Sequence, residues 1–392
     1  MDTVHQQKEF LRMNFSKKLL LLSFVVALAT TQINAAVDST FHCYLLFGQS
    51  NMAGGGAGHP NDRKGLIASD CDTTPRIKVL GFCNCSAGYS GDTINGIKFP
   101  GSRTESQWYT AYPPIHICTE GISPGTYFAR TLIDSVRSDI KIGLIPCALS
   151  GQAMKVFVKG DSNLAIPTWA HPTINNSSPY AWMLARCKLA QQTGVIKGIL
   201  IHQGESGSGT SQAWGAMTKG ILDSLKKDLG LSDSTPVVVG ELRQDTVTPK
   251  PCCSSFNTTI DAFAKSYTHC GLASSKGLSG NDTDAYHFNC AGMRTLGARY
   301  AQAFLALSSS TYIPRKNATA TVQGYNDHVQ KYQNIKSATG AITIYSVNGR
   351  ILHTYSAAEA TNALRNLNVK GVYIVSRKLA NGSITTFPVV KE

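Results

Sequence analysis

Five apolar runs between residue 37 and about residue 310 most constrain the fold of this 392-residue chain. They cover 43–47, 76–82, 140–147, 196–202 and 236–242, and segments with a helical pattern alternate with them. Continuous apolar runs are typical of parallel strands that are buried on both faces, because crossover helices cover the two sides of such a sheet. The sequence therefore predicts an α/β domain over 37–307 with a mainly parallel sheet.

Start signals predict four helices in this region. Two open with a Ser-Pro pair, in which the serine caps the helix and the proline takes the first helical position. A third opens at Ser211 and closes at Gly230, and Asn289 caps the last, which is amphipathic. The predicted extents are 124 to about 136, 179–194, 211–230 and 290–307. Between Phe82 and Glu120 no periodicity is clear, and such a long loop is usually functional or held by disulfides.

The chain changes character after Leu307. Ser308-Ser309-Ser310 marks a linker, placed at 308–340 together with the start of the tail module. Beyond it, short alternating runs at 341–347, 350–355 and 371–375 predict strands, the first two joined by an Asn348-Gly349 turn. Residues 341–392 are therefore predicted to form a small all-β module.

The amino terminus carries a targeting signal. Lys17 and Lys18 precede an apolar run over 19–29, and the small residues Ala35 and Ala36 close it. A signal peptide over 1–36 is predicted, with export of the mature chain. A membrane anchor is the alternative, although the run is short for a bilayer span.

Eleven cysteines, from Cys43 to Cys290, fit an exported protein with disulfides, and the odd count leaves at least one unpaired. Their pairing cannot be read from the sequence. Cys83-Asn84-Cys85 and Cys252-Cys253 lack the CxxC or HxxxH spacing of metal sites, so no metal is expected.

The net charge of +13 is concentrated in the tail. Residues 311–392 hold ten Lys and Arg against three Asp and Glu, a net of +7, whereas 37–310 hold 23 against 19, a net of +4. A solvated basic face explains the tail, because no basic helix or aromatic RNA-binding signature accompanies it. Nucleic acid is not an expected partner.

Ser50 follows the first apolar run directly, at the edge where open α/β sheets bind their ligands. It is therefore a candidate nucleophile, and the alternative is a serine that only caps a turn. Two more chemical groups follow later strands: Gly151 after the 140–147 run, and a block with Gln203 and Glu205 after the 196–202 run. Gly151 could present a backbone N–H to a substrate oxygen.

Asp284 and His287 precede the last helix, spaced so that the carboxylate can orient the imidazole. The order Ser, Asp, His is one layout of a hydrolase triad. However, no Gly-x-Ser-x-Gly surrounds Ser50, which argues against the α/β-hydrolase class.

Three separated motifs resemble those of the SGNH-hydrolase superfamily: GQSNM at 48–52, HQGES at 202–206 and DAYH at 284–287. Within it, they resemble the branch with family-six carbohydrate esterases, which are acetylxylan esterases, and sialate O-acetylesterases. The resemblance covers about residues 40–307. It implies a three-layer αβα, flavodoxin-like domain and an esterase that needs no cofactor.

This resemblance also implies the site. Ser50 would be the nucleophile and His287 the base, with the Ser50 N–H, Gly151 and Gln203 as oxyanion donors. Relatives often have Gly-Gly-Thr where this chain has Ser150-Gly151-Gln152. For the triad acid, Asp284 is favoured by its local spacing, and Glu205 is the alternative or a supporting carboxylate.

The tail resembles carboxyl-terminal sorting domains of the type IX secretion pathway, through IYSVNGR at 344–350 and GVYIV at 371–375. That resemblance implies a secreted or cell-surface protein with the secretion machinery as a partner. A carbohydrate-binding module is the alternative.

Together these features predict a secreted serine esterase that deacetylates plant polysaccharide, acetylxylan above all. The alternatives are a sialate O-acetylesterase, another SGNH esterase, or a non-catalytic carbohydrate-binding protein.

Overall fold

The computed structural model describes residues 37–55, 65–85, 103–160, 178–206, 211–308, 342–346, 351–356, 371–378 and 384–391. The predicted signal peptide, most of the linker and the Asn348-Gly349 turn lie outside the described residues. Within them, no helix is long and apolar enough to cross a membrane.

Seven strands of the described chain form one sheet. They are β1 Phe41–Gly48, β2 Ile77–Leu80, β3 Trp108–Thr110, β4 Lys141–Ala148, β5 Val195–His202, β6 Val237–Gly240 and β7 Cys270–Ala273. Their order is β3-β2-β4-β1-β5-β6-β7, and every pair is parallel except β2 with β3. The predicted α/β fold with a mainly parallel sheet is confirmed, and β1 lies at its centre.

The helices accompany this sheet in chain order. They are α1 Ser50–Ala53, α2 Pro124–Ile133, α3 Pro179–Gln191, α4 Ser211–Asp228, α5 Asn257–Ser266 and α6 Cys290–Leu307. All four predicted starts are confirmed, and two of them by these capping hydrogen bonds: Ser123 accepts from the Gly125 N–H at 3.1 Å and Asn289 from the Gly292 N–H at 2.8 Å. Helices α2, α3 and α4 end two or three residues before their predicted ends. Strands β3 and β7 and helices α1 and α5 were not predicted from the sequence, which indicated only a turn at α1.

Alternate residues of β1 enter two separate hydrophobic cores. Cys43, Leu45 and Phe47 pack on one side with residues of α3, α4 and α5, while Tyr44 and Leu46 pack on the other with residues of α2 and α6. Burial of each large apolar side chain contributes roughly 1.5–3 kcal/mol, so both faces stabilise the strand. The described domain is thus a sheet between two helical layers.

Registers in the sheet centre bring three strand ends together. Gly48 is paired with Ala148 of β4 on one side and with His202 of β5 on the other. The Gln49 N–H donates to the His202 carbonyl oxygen at 2.9 Å, and the Leu149 N–H to that of Gly48 at 2.9 Å. The residues that follow β1, β4 and β5 therefore start from one point at the carboxyl edge.

A second sheet lies in the tail. Strands β8 Ile342–Ser346, β9 Ile351–Tyr355, β10 Gly371–Lys378 and β11 Ile384–Lys391 pair in the antiparallel order β11-β10-β8-β9. The described residues of the tail are all in or next to strands, as predicted, although β11 was not predicted from the sequence.

Two disulfides are formed, Cys85–Cys118 and Cys252–Cys253. The other seven cysteines are not part of these disulfides, and five of them are buried. The sulfur of Cys83 lies near the first disulfide, and these three sulfur atoms are within 4.8 Å of one another. Because Cys85 and Cys118 are bonded to each other, the Cys83 thiol is the one member of this cluster that could bind a metal ion.

Candidate active site

The turn after β1 presents Ser50 at the centre of the sheet edge. Gly48 has φ +134°, and a Cβ built there would lie 2.0 Å from the carbonyl oxygen of His202. Only glycine therefore allows β1 to approach β5 this closely and still turn. Ser50 then begins α1, with 8% of its surface exposed.

Ser50 and His287 form a direct hydrogen bond, although they are 237 residues apart. The Oγ of Ser50 lies 2.8 Å from Nε2 of His287. His287 lies in the segment between β7 and α6, three residues before α6 begins. Asn289 caps that helix and so fixes where it starts. In this geometry, Nε2 can take the hydroxyl proton of Ser50.

Asp284 holds the other side of the imidazole. Its Oδ2 lies 2.8 Å from Nδ1 of His287 and accepts from Asn281 Nδ2 at 3.1 Å. Its Oδ1 accepts the backbone N–H groups of Tyr286 at 2.7 Å and His287 at 2.8 Å. The carboxylate is thereby fixed, and it orients the ring with a proton on Nδ1.

Electrostatics in this pair suit a general base. Burial lowers the pKa of His287, but the hydrogen bond and charge of Asp284, with a smaller contribution from Glu205, raise it above the ordinary histidine value. Burial raises the pKa of Asp284, but its hydrogen bonds to His287 and Asn281 together have the larger effect. The pKa of Asp284 is therefore well below the ordinary aspartate value. Asp284 is therefore ionised wherever His287 titrates.

Glu205 lies in a different position from Asp284. Its buried carboxylate accepts from Asn51 Nδ2 and lies 3.5 Å from Nε2 of His202. Burial raises the pKa of Glu205, but the contacts with His202 and Asn51 bring it below the ordinary value. In the described structure, the carboxylate bonded to His287 is that of Asp284.

Asn51 connects Glu205 to the histidine segment. Its Nδ2 also donates to the carbonyl oxygen of Tyr286 at 3.0 Å, and its Oδ1 accepts the N–H of Phe288 at 3.3 Å. Asn51 thus binds the backbone on both sides of His287. Glu205 is therefore connected to the His287 segment through Asn51.

Two of the three predicted oxyanion donors, Gly151 and Gln203, differ in their surroundings. Gly151, three residues after β4, is exposed and has φ +72°. Gln203, directly after β5, is buried, and its Nε2 contacts Gln49 Oε1 at 3.0 Å and the carbonyl oxygens of Ser206 at 2.9 Å and Gln152 at 3.2 Å. These three acceptors engage both amide protons, so Gln203 ties the three strand-end segments together in this structure.

Sequence reasoning missed Glu120 and Ser150 as members of the site. The Oγ of Ser150 donates to Oε1 of Glu120 at 2.6 Å, and both side chains are buried. Glu120 lies in the aperiodic stretch before α2, where no local pattern indicates a buried acid. Asn51, in contrast, stands beside Ser50 in the first motif and could have been predicted from it.

The sequence model of a family described as carbohydrate esterase, sialic acid-specific acetylesterase, matches residues 98–306, more than half of the chain. The chain belongs to this family. It is therefore a carboxylic ester hydrolase of carbohydrate acetylesterase type. The matched range contains Asp284 and His287, whereas Ser50 lies before it, and the hydrogen bond to His287 connects the two parts.

Individual proteins are similar over much of this domain. An Arabidopsis thaliana protein named "Probable carbohydrate esterase" is 26% identical over 211 residues, which are 50% of this chain and 66% of that protein's length. Its X-ray structure superposes with a TM-score of 0.50 at 23% identity, covering 69% of this chain and 99% of that one. A carbohydrate acetylesterase from Xanthomonas citri has a TM-score of 0.47 at 14% identity, over 89% of this chain and 81% of that one.

Proposed function

We propose that the protein is a secreted serine esterase that removes O-acetyl groups from plant polysaccharide, with acetylated xylan as the main substrate. The observation that carries the proposal is the line of hydrogen bonds from Ser50 through His287 to Asp284. A carbohydrate acetylesterase needs a nucleophile with a base, and these residues supply both.

In the proposed reaction, the Oγ of Ser50 attacks the acetyl carbonyl carbon while His287 takes the hydroxyl proton. Asp284 stabilises the imidazolium that forms. The tetrahedral intermediate collapses, the bond to the sugar oxygen breaks, and His287 returns its proton to that oxygen. Water then attacks the acetyl-enzyme with His287 as base, and acetate leaves as Ser50 regains its proton.

The developing oxyanion is assigned to the backbone N–H groups of Ser50 and Gly151, with Gln203 as a third donor. Ser50 is the first residue of α1, where helical geometry provides no acceptor for the N–H. Gln203 would have to release one of its present acceptors, so its contribution depends on substrate binding. Preorganised donors of this kind are worth roughly a hundredfold to a thousandfold each in turnover.

A second candidate substrate is O-acetylated sialic acid, since the matched family is described as sialic acid-specific. The test is acetate release by the purified protein from acetylxylan and from O-acetylated sialic acid, at equal acetyl concentrations, with Ser50→Ala as the blank. We expect the larger kcat/KM on acetylxylan. A larger value on the sialic acid would assign the enzyme to that substrate instead.

A further inference from the structure

Glu120 is a buried carboxyl group with an unusual environment. Only 9% of the residue is exposed, and Oε1 accepts the Ser150 hydroxyl. The second oxygen, Oε2, is buried and has no hydrogen-bond partner among the residues that the structure describes. A buried charge with a single donor is costly, so this environment favours the neutral acid. In agreement, burial raises the pKa of Glu120.

The carboxyl group lies beside the nucleophile. A Cβ built on Gly55 would be 2.8 Å from Cβ of Ser50 and 3.2 Å from Oε2 of Glu120, so both side chains flank this glycine. Backbone bonds fix the arrangement: the Gly55 N–H donates to the Ser50 carbonyl oxygen at 2.7 Å, and the Gly121 N–H to that of Gly54 at 2.9 Å. The segment that carries Glu120 is thus attached to the turn that carries Ser50.

The partner of Glu120 belongs to the segment after β4. Ser150 directly precedes Gly151, which has a φ of +72°, so the anchored side chain is one residue from the Gly151 N–H. Its hydroxyl bond to Glu120 links this segment to the neighbourhood of Ser50. Two further hydrogen bonds attach the segment: the Leu149 N–H donates to the Gly48 carbonyl oxygen of β1, and the Gln152 carbonyl oxygen accepts from Gln203 Nε2.

We infer that Glu120 is a positioning residue that holds Ser150 through its carboxyl oxygen and thereby keeps the Gly151 N–H directed at the oxyanion formed on Ser50. This inference rests on the proposed acyl-enzyme function. A displacement of about 1 Å in such a donor can cost roughly a hundredfold in rate, so one anchoring bond has a measurable effect on turnover.

The test compares Glu120→Ala, Glu120→Gln, Ser150→Ala and the double alanine variant in the full-length protein, with kcat, KM and Tm measured on 4-nitrophenyl acetate. Glutamine keeps a carbonyl acceptor for Ser150, so we expect its kcat within about threefold of wild type. Both alanine variants should lose about tenfold to a hundredfold in kcat with little change in KM. The double variant should lose no more than the worse single one, because both break the same bond.

Ser178→Ala is the matched control for the loss of a serine hydroxyl. Ser178 caps α3 by accepting the Ala181 N–H at 3.2 Å, so its removal should lower Tm and leave kcat unchanged. Should Glu120→Ala fail to fold, Ser150→Ala and Glu120→Gln still decide the matter.

Two results would overturn the inference: folded alanine variants with wild-type kcat, or a glutamine variant as slow as the alanine one, which would show that the negative charge is needed. Ser50→Ala separates this inference from the proposed function. If Ser50→Ala stays active, the acyl-enzyme proposal fails. If it is inactive while the Glu120 and Ser150 variants behave as wild type, only the positioning role fails.

Discussion

At the scale of single residues, the proposed chemistry depends on two hydrogen bonds of 2.8 Å, one at each ring nitrogen of His287. Ser50 is predictable from the sequence because it directly follows an apolar run. Asp284 and His287 are predictable because two side chains three residues apart on one loop can form a hydrogen bond. The structure brings all three residues together. Glu120 could not be predicted, since its contact with Ser150 forms only when two distant segments pack. The orientation of the Gln203 amide likewise depends on neighbours from three segments.

The two candidate acids give a direct comparison at this scale. Asp284→Asn leaves the imidazole without its carboxylate partner and should lower kcat by up to about four orders of magnitude. Glu205→Gln keeps an acceptor for Asn51 and should cost much less, about tenfold to a hundredfold. Both variants are measured on the same acetyl ester, with thermal unfolding as the folding check. A larger loss for Glu205→Gln would make Glu205 the triad acid.

The raised pKa of His287 has a consequence for the pH profile. The base acts only when neutral, so kcat/KM should rise with pH through a value above the ordinary histidine pKa of about 6.5. Asp284 favours the imidazolium, and its replacement by asparagine should therefore move this acid limb to lower pH in the residual activity. Profiles of both proteins test this point. If the acid limb of the Asp284→Asn profile stays at the wild-type pH, a group other than His287 controls that limb.

At the scale of elements, the strands with continuous apolar runs were predictable because both of their faces are buried. The missed elements lack that signal. All three residues of β3 are half-buried, and only the last of the four residues of β7 is fully buried. Helix α5 begins without a capping bond from a side chain, because its N-cap residue is Phe256, and the Asn257 side chain binds the backbone of Leu242. Such features are set by the surrounding fold.

The turn from β1 to α1 can be tested through Gly48. An added Cβ would collide with the His202 carbonyl oxygen in a backbone conformation that side chains rarely adopt. We expect Gly48→Ala to lower the free energy of unfolding by at least about 2 kcal/mol and to abolish most activity.

Gly220→Ala is the control for this change. Gly220 lies in α4 with nothing within 4 Å of its Cβ position, so alanine should stabilise the protein by up to about 1 kcal/mol. Urea unfolding of both variants measures the difference. Equal stabilities of Gly48→Ala and wild type would show that β1 and β5 can separate at their ends without cost.

At the scale of the whole molecule, the change from continuous apolar runs to short alternating ones after Leu307 predicts two kinds of structure. The chain contains both a mainly parallel α/β sheet and an antiparallel tail sheet. The sorting role of the tail stays a proposal, based on its resemblance to type IX sorting domains. The described part of the tail contributes no residue to the hydrogen bonds around Ser50 described above. Chemistry and export are therefore expected to be separable.

Truncation after Ser310 tests this separation. The shortened enzyme should keep its kcat/KM on a soluble acetyl ester within about threefold, because every residue of the proposed site precedes residue 308. In a host with the secretion pathway, the same truncation should prevent release of the protein. A folded but inactive truncated enzyme would contradict the division into two modules.

The central claim is that Ser50 becomes acetylated during turnover. Its most direct measurement is mass spectrometry of the protein quenched in acid while it hydrolyses 4-nitrophenyl acetate, followed by peptide mapping. We predict a mass increase of one acetyl group, located on Ser50, and its absence in folded Ser50→Ala, whose activity should fall at least about a thousandfold. An acetyl group on another residue, or a Ser50→Ala enzyme within tenfold of wild type, would contradict the account.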